Sequence, residues 1–494
     1  MSRGPNTRLA DHFALTGWSK GELARLVNRR GAALGEQQLS TDTSRVRRWI
    51  EQGEIPRDPV PRVLAAVFTE RLGRVVTTED LGLERHRPTR SGSTAPPPTE
   101  PGAPDRTAAV LTEFTGMDLM LNRRGLVGAS AALAAGAMIA DNLHDWLTGG
   151  AVAGAAARPG PRQVLTRGGP RPLIEAYDPG PVGPDEVAAL ERSVEVFRAW
   201  DASRGGGLQR KAVVGQLNEV GGLLTHHHPA ALERRLWTVA ANLAVLAGWM
   251  SHDVGLEPTA QRYFVIAAQA AREADDRPRA AEAVSRAARQ MLHLGRADEA
   301  LELMQLARAG TRPADGALPR TRAMLGTVEA WAHASLGRSE DTRRALGEAE
   351  ALFVQDTDRP APSWMQLFNE AELHGMQALV YRTLAEHDAR AVPAAVHHAR
   401  QAIRLRQRTG RERSALLDRI TLASVHWIAD EPDAALAEAG RALDSIHQTS
   451  SKRTWDRLRE MHRLSARHQG LPAVAELRER IRAALPAPRA PRPI

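Results

Sequence analysis

Apolar and polar positions between Ala281 and Ala307 follow a helical period twice over. Val284, Ala287, Ala288 and Met291 fall on one face of a helix, Leu294-Gly295-Arg296 breaks it, and Ala300, Met304 and Ala307 mark one face of a second helix. Small residues at Ala288, Ala300 and Ala307 let two antiparallel helices approach closely, and the larger ones fill the groove between successive pairs.

The same pattern recurs along the chain. Ala241 to Ala267 carries Gly248, Ala260, Phe264 and Ala267 in equivalent places; Leu336 to Phe353 carries Thr342, Leu346 and Ala349. Further copies place Ala395, Ala399 and Ala402, then Ala435, Ala439 and Ala442, at the packing positions. The first packing residues of the second helices sit at 260, 300, 342, 395 and 435, which gives spacings of 40, 42, 53 and 40. The small/large pattern resembles the tetratricopeptide repeat, whose standard length is about 34 residues. The longer spacing predicts extended helices or loops and an insertion around Asp356 to Ser363, and a more charged copy from Leu471 to Ile481 reads as a terminal cap. Such an array is a scaffold with a concave groove, built to bind rather than to catalyse.

The N-terminal segment follows a different plan. Thr7 to Leu15 reads as a short helix with Leu9, Phe13 and Leu15 inward. Ser19 and Glu22 form a capping box, and Trp18 with Leu23 the accompanying staple, so a second helix starts there and runs to about Val27. About twelve connecting residues, Asn28 to Leu39, contain Arg29 and Arg30. Ser40-Thr41-Asp42 offers N-caps for a helix from Thr43 to Gln52, closed by Gly53, with Val46, Trp49 and Ile50 on its buried face. A last helix spans Val60 to Leu72, with Val63, Leu64, Val67, Phe68 and Leu72 apolar.

A Glu-Leu-Ala helix followed by a Ser/Thr/Arg-rich one ending in Trp and Gly resembles the helix-turn-helix of the Xre/Cro-like repressors. In that family the second helix of the pair enters the major groove. The resemblance makes Thr43, Ser44 and Arg47 candidates for base edges and Arg45 and Arg48 candidates for phosphate. It departs from the family in the length of the connection between the two helices. Over residues 1–88, 15 Lys and Arg against 11 Asp and Glu give only +4, so a helical domain that no longer binds DNA is the competing reading.

Composition then separates the regions. Residues 86–106 are rich in Pro, Ser, Thr and Gly and read as a disordered tether; 107–148 reads as a helical spacer, and 149–184 as a second, Gly/Pro/Ala-rich linker. With 1–85 as the head, 185–485 as the repeat domain and 486–494 as a tail, the expected fold is all-α, a helix-turn-helix domain joined to an α-solenoid. Arg123-Arg124 followed by small apolar residues looks like a twin-arginine export signal, but its internal position favours a buried or groove-docking apolar helix.

The chain of 494 residues has no cysteine, which removes disulfides, thiolate nucleophiles and Cys-based metal sites. Its net charge is +8, carried by Arg with only Lys20, Lys211 and Lys452 as lysines, an excess that permits nucleic-acid binding without requiring it. No apolar run is long enough to span a bilayer and no signal-peptide core opens the chain, so a cytoplasmic location without membrane contact is expected.

No cofactor, metal or catalytic residue is expected either. Gly205-Gly206-Gly207 leads to Lys211-Ala212 without phosphate-loop spacing and reads as a hinge within the helical stretch Ala189 to Trp237. His226-His227-His228 reads as a solvated bend before Pro229, and His397-His398 diverge on their helix. Asp201 and the Trp249 to Asp253 segment supply acids and a His, but neither a nucleophile nor a paired carboxylate. Trp249, Trp331, Trp364 and Trp427 recur on what read as first helices; they are expected mostly in the core, and as candidates to line the groove for a peptide or partner helix.

The whole order, with FRAWDASRGGGLQRKAVVGQLNEV and LAGWMSHDVG as its most specific segments, is similar to a Streptomyces family of helix-turn-helix/tetratricopeptide regulators. That resemblance implies transcription control in sporulation, development and secondary metabolism, including antibiotic biosynthesis. A looser likeness, in architecture only, is to Gram-positive regulators whose repeats bind signalling peptides. The expected partners are operator DNA, a peptide or protein in the groove, and a second copy of the chain in a homodimer. The alternative is an interaction scaffold that acts by sequestering a partner protein.

Overall fold

The computed structural model describes residues 5–33, 39–57, 59–72, 76, 78, 80–83, 104–120, 182–205, 207, 209–312, 317–356, 360–446 and 451–485. The described residues are helical throughout, with no strand among them. The tether between 86 and 103, the Arg123-Arg124 stretch, most of the second linker and the tail lie outside them.

The head comprises α1 (Thr7–Thr16), α2 (Lys20–Ala33), α3 (Thr43–Glu51) and α4 (Val60–Leu72). Ser19 Oγ accepts from the Glu22 amide at 3.1 Å, so the predicted N-cap forms. Helix α2 outruns its expected end at Val27 by reaching Ala33, which places Arg29 and Arg30 on the helix and shortens the connection to residues 34–42. Asn28 fixes that connection by exchanging two hydrogen bonds with the Thr41 backbone, at 2.7 and 2.6 Å. Leu9, Leu23, Val27, Val46, Trp49, Val63, Leu64 and Phe68 form the head's core, with Val76, Leu81 and Leu83 closing it. Leu15, expected inward, is 66% exposed, because α1 turns the face carrying Leu9, Ala10 and Phe13 onto that core.

The remaining helices pack as a solenoid of consecutive pairs: α8 (Ala230–Asp253) on α9 (Glu257–Glu273), α10 (Arg277–His293) on α11 (Ala297–Ala309), α12 (Pro319–Ser335) on α13 (Ser339–Val354), α14 (Glu370–Ala385) on α15 (Val392–Arg408), and α16 (Glu412–Ile428) on α17 (Pro432–Asp444). Helices α18 (Lys452–Leu464) and α19 (Pro472–Ala484) end it, with Val474, Leu477 and Ile481 covering the last core. Every small position read from the repeat pattern is buried: Ala260, Ala288, Ala300, Ala307, Ala349, Ala395, Ala399, Ala402, Ala435, Ala439 and Ala442 are each 0% exposed. At Gly248 the approach is closer still. A Cβ there would stand 2.7 Å from a Phe264 ring carbon and 3.2 Å from the Ala260 carbonyl. Gly248→Val is therefore expected to lower stability by about 1–3 kcal/mol, read as a lower melting temperature by circular dichroism.

Three elements precede the pairs. Helix α5 (Pro104–Met120) packs on α7 (Arg210–Leu223) and on α9, while α6 (Pro184–Arg204) packs on α8 and reaches α16. The stretch from Ala189 to Trp237 belongs to three helices, broken at the expected glycine hinge, where Gly205 has a φ of 82°, and at the bend before Pro229. His226 and His227 sit on that bend, but His228 turns inward, where its Nε2 lies 2.8 Å from the Leu223 carbonyl. Helix α5 begins inside the segment read as tether and belongs to the solenoid: Leu111 and Phe114 are buried, and Asp118 meets Arg210 and Tyr263. The insertion between α13 and α14 extends through Asn369 and contains a short 3-10 turn, Ser363–Met365.

Candidate functional site

Two surfaces carry the residues singled out from the sequence. In the head, Asp42 caps α3 by accepting from the Arg45 amide at 2.8 Å. With Val46, Trp49 and Ile50 buried, Thr43, Ser44, Arg45, Arg47 and Arg48 all face solvent, so the five candidate DNA contacts share the outer side of one short helix. Arg45 donates to the Ser40 carbonyl at 2.8 Å, Arg47 pairs with Glu51 at 2.7 Å and Arg48 with Glu54 at 3.1 Å. Exposed pairs of this kind contribute about 0–1 kcal/mol, so a phosphate can displace them.

The second surface is the inner wall of the solenoid. First helices line it, and the array closes on itself: Asp253, at the end of α8, takes bonds from Arg453 of α18 (3.0 Å from its Nη2) and from Arg413 of α16 (2.9 Å). Ser451 adds a hydroxyl at 3.2 Å, and Arg413 also donates to the Asp201 carbonyl at 2.9 Å. Burial works against the Asp253 carboxylate, but Arg453 and Arg413 outweigh it and hold its pKa below the usual carboxylate range.

Inside this closure lies a cavity of about 190 Å3. Eight arginines face it, at 198, 286, 289, 406, 411, 413, 453 and 457, against four carboxylates, Asp201, Glu282, Glu372 and Asp418. Arg406 is neutralised twice, by Asp418 at 2.6 Å and Glu372 at 2.8 Å, and Arg286 pairs with Glu282 at 3.2 Å. No ion pair forms on Arg289, Arg411 or Arg457 among the described residues. Burial, with Arg286 adding to it, lowers the Arg289 guanidinium to about 9, and burial with Arg453 lowers Arg457 to about 10. Both still carry their charge at neutral pH. A second hollow of about 560 Å3 shares Arg198, Ala202, Leu367, Arg411 and Arg413 with the first, and Arg411 is exposed. It forms the entrance.

The four tryptophans divide. Trp249, at the end of α8, lines the cavity, with Arg453, Arg289 and Arg286 guanidinium carbons 4.4, 5.1 and 5.4 Å from its ring centroid. Trp364 lines it too, but from the 3-10 turn of the insertion rather than from a first helix, with Arg279 5.3 Å from its ring. Trp331 does not line it: the His293 ring covers it edge-on at 5.0 Å. Trp427 is 0% exposed and belongs to the terminal core with Ala435, Ala439 and Met461, more than two turns beyond Asp418, where α16 last touches the cavity.

The structure brings together acids that look unrelated in sequence. Burial, and next the charge of Asp253, raises Asp201 to about 6. His374 and His398 face each other Nδ1 to Nδ1 at 2.9 Å beside His397, and burial lowers His398 to about 4. Among the described residues no group of three or more His, Asp or Glu side chains has metal-binding geometry, and no helix is long and apolar enough to cross a membrane.

The sequence offers all four tryptophans as groove candidates without sorting Trp249 and Trp364 from Trp331 and Trp427, and it does not single out the cavity's arginines. The signal was present: Arg286 with Arg289, and Arg453 with Arg457, recur at three and four residues on first helices, one polar stripe on a helix face that a repeat array turns inward.

Residues 9–84 match the family model of the SP15 N-terminal domain. The match coincides with the head, whose core runs from Leu9 to Leu83. No curated protein and no solved structure is matched by the chain.

Proposed function

We propose that the chain is a transcriptional regulator in which the head is a helix-turn-helix that binds operator DNA, and the solenoid is a tetratricopeptide-like sensor that controls it. The observation that carries this reading is α3: nine residues long, it buries Val46, Trp49 and Ile50 and turns Thr43, Ser44, Arg45, Arg47 and Arg48 outward, behind the well-capped α2. A helix so arranged can lie in a major groove with its N-terminal side chains on base edges and its arginines on phosphate. The resemblance to Streptomyces regulators adds the setting, control of development and secondary metabolism. A cytoplasmic homodimer on a two-fold operator is the matching assembly. The solenoid's part is to favour one disposition of two heads over another when its ligand binds, and a complete switch needs about a 10⁴-fold preference.

A second reading draws on the ion pairs of α3. Arg47 with Glu51 and Arg48 with Glu54 are satisfied within the head, which suits a scaffold that has kept the fold and sequesters a partner protein. Genome-wide occupancy of the tagged protein separates the two. Discrete peaks lost in an Arg47→Ala/Arg48→Ala variant of equal abundance are expected for a regulator, with a salt dependence of binding in vitro that falls by about one phosphate contact, that of Arg48. Peaks that persist unchanged in the variant, or no enrichment for either protein, count against the DNA reading.

A further inference from the structure

We infer that the arginine-lined cavity of the solenoid is a binding site for a small organic polyanion, a metabolite carrying phosphate or several carboxylate groups. This deepens the sensor half of the proposed function and does not depend on the DNA half. Three observations lead to it. First, eight arginines face one cavity whose wall holds four carboxylates; with the Asp253 carboxylate behind it, which pairs with Arg413 and Arg453, the balance is still an excess of three positive charges.

Second, the excess is not spread evenly. Arg289, half-buried over the ring of Trp249, has no hydrogen-bond partner on its buried Nε and no ion pair. Arg457 has only neutral acceptors, the Thr421 hydroxyl at 3.1 Å and the Leu417 carbonyl at 3.5 Å. An unpaired buried cation is costly and a protein keeps one where something else completes it. Guanidinium forks match phosphate and carboxylate oxygens two at a time.

Third, the size and the apolar floor limit the occupant. The cavity of about 190 Å3 is too small for a helix, whose diameter with side chains is about 10–12 Å. An extended peptide would have to thread a ring closed by Asp253. Trp249 and Trp364 give a compact ligand an apolar contact beside the charges, and the hollow at Arg411 gives it a way in.

Asp201 gives the site a pH dependence. It faces the cavity among Asp253, Arg413, Arg453 and Arg286, with a pKa of about 6. As pH falls from 8 to 5.5 it takes up a proton, the wall becomes more positive, and a ligand that stays ionised binds more tightly.

Titration calorimetry of the full chain with pyrophosphate, a nucleoside triphosphate, citrate and an acidic hexapeptide tests the inference. At least one of the three small anions is expected to bind one per chain, tightening at lower pH once the anion's own protonation is corrected for; which of them does distinguishes phosphate from carboxylate ligands. Arg289→Met and Arg457→Gln should each weaken that binding by about ten- to a hundredfold, and Asp201→Asn should reduce its pH dependence to the part carried by Asp418, which burial also raises to about 6 on the same wall. Arg289→Met should also keep or raise the melting temperature, because it removes an unpaired buried charge, whereas an arginine kept for structure would lower it. Arg459→Gln, on the same helix as Arg457 but outside the cavity, should change nothing. The inference is overturned if none of the small anions binds by 1 mM, if only the peptide binds, or if binding ignores Arg289 and Arg457. A failure of the head to occupy DNA would leave these results unaffected.

Discussion

Asp253→Ala is expected to lower the free energy of unfolding by roughly 3–5 kcal/mol, the usual cost of removing one partner from a buried ion network. Asp253 is 2% exposed and links α8 to α16, 160 residues further on, through Arg413 and to α18, 200 residues further on, through Arg453, with the Ser451 hydroxyl beside them. Without it the two guanidinium groups lose their direct partner and keep only the Asp201 carboxylate nearby. A linear repeat array has interfaces between neighbours only, so its ends fray independently; here Asp253 joins distant helices, together with the α6–α16 contact and the Lys452–Glu257 pair at 3.3 Å. The variant should therefore show a lower unfolding midpoint in denaturant and faster amide hydrogen exchange in α18 and α19, while the head exchanges as before. Because the folded pKa of Asp253 lies below its unfolded value of about 3.9, its contribution is complete above that pH and is lost as acid protonates the folded carboxylate. Unchanged stability at pH 7, or loss confined to α8, would mean that the closure does not bear on the fold.

The repeat pairs are legible in the sequence because their signal is local and repeated. A small residue every helical turn on two facing helices has one geometric use, and Gly248, Ala260, Ala300, Thr342, Ala395 and Ala435 all serve it. The turn Leu294-Gly295-Arg296 is legible for the same reason, since a φ of 75° at Gly295 is open to glycine at no steric cost. What pattern cannot supply is pairing across long separations. Asp253 with Arg453, Asp118 with Arg210 and Arg289 with Trp249 depend on how the array curves, which is the sum of many small rotations between repeats. Trp364 shows the complementary failure. Its sequence distance from Trp331 suggested a first helix, but the insertion has its own turn and carries the ring into the cavity from a loop. The end of α2 was misplaced because Asn28, Arg29, Arg30 and Gly31 look like a break; the helix continues because Gly31 sits close under Leu39, where a Cβ would meet its side chain at 2.3 Å.

The largest remaining effect concerns where the solenoid begins. A chain starting at residue 104 should fold with the stability of the full repeat region, and one starting at 121 should not. Helix α5 contributes Ala108, Leu111 and Phe114 to the main core, and Phe114 lies edge-on to the Tyr263 ring at 4.9 Å. Its last turn carries Asp118, 3% exposed, which takes the Arg210 guanidinium and the Tyr263 hydroxyl, the latter at 2.5 Å. Burial and then the Asp118 charge push the Tyr263 phenol well above its ordinary pKa, so it stays a donor across the working pH range. Removing α5 exposes that apolar face and strands Arg210 with only the Ser251 hydroxyl, 2.7 Å away. Asp118→Ala isolates the polar part: about 3–5 kcal/mol of destabilisation is expected, against a smaller loss for Asp118→Asn, which keeps an acceptor for Tyr263. If the chain from 121 melts like the chain from 104, α5 is a passenger. If it melts lower or aggregates, the helix is the solenoid's first layer, anchored to α7 and α9.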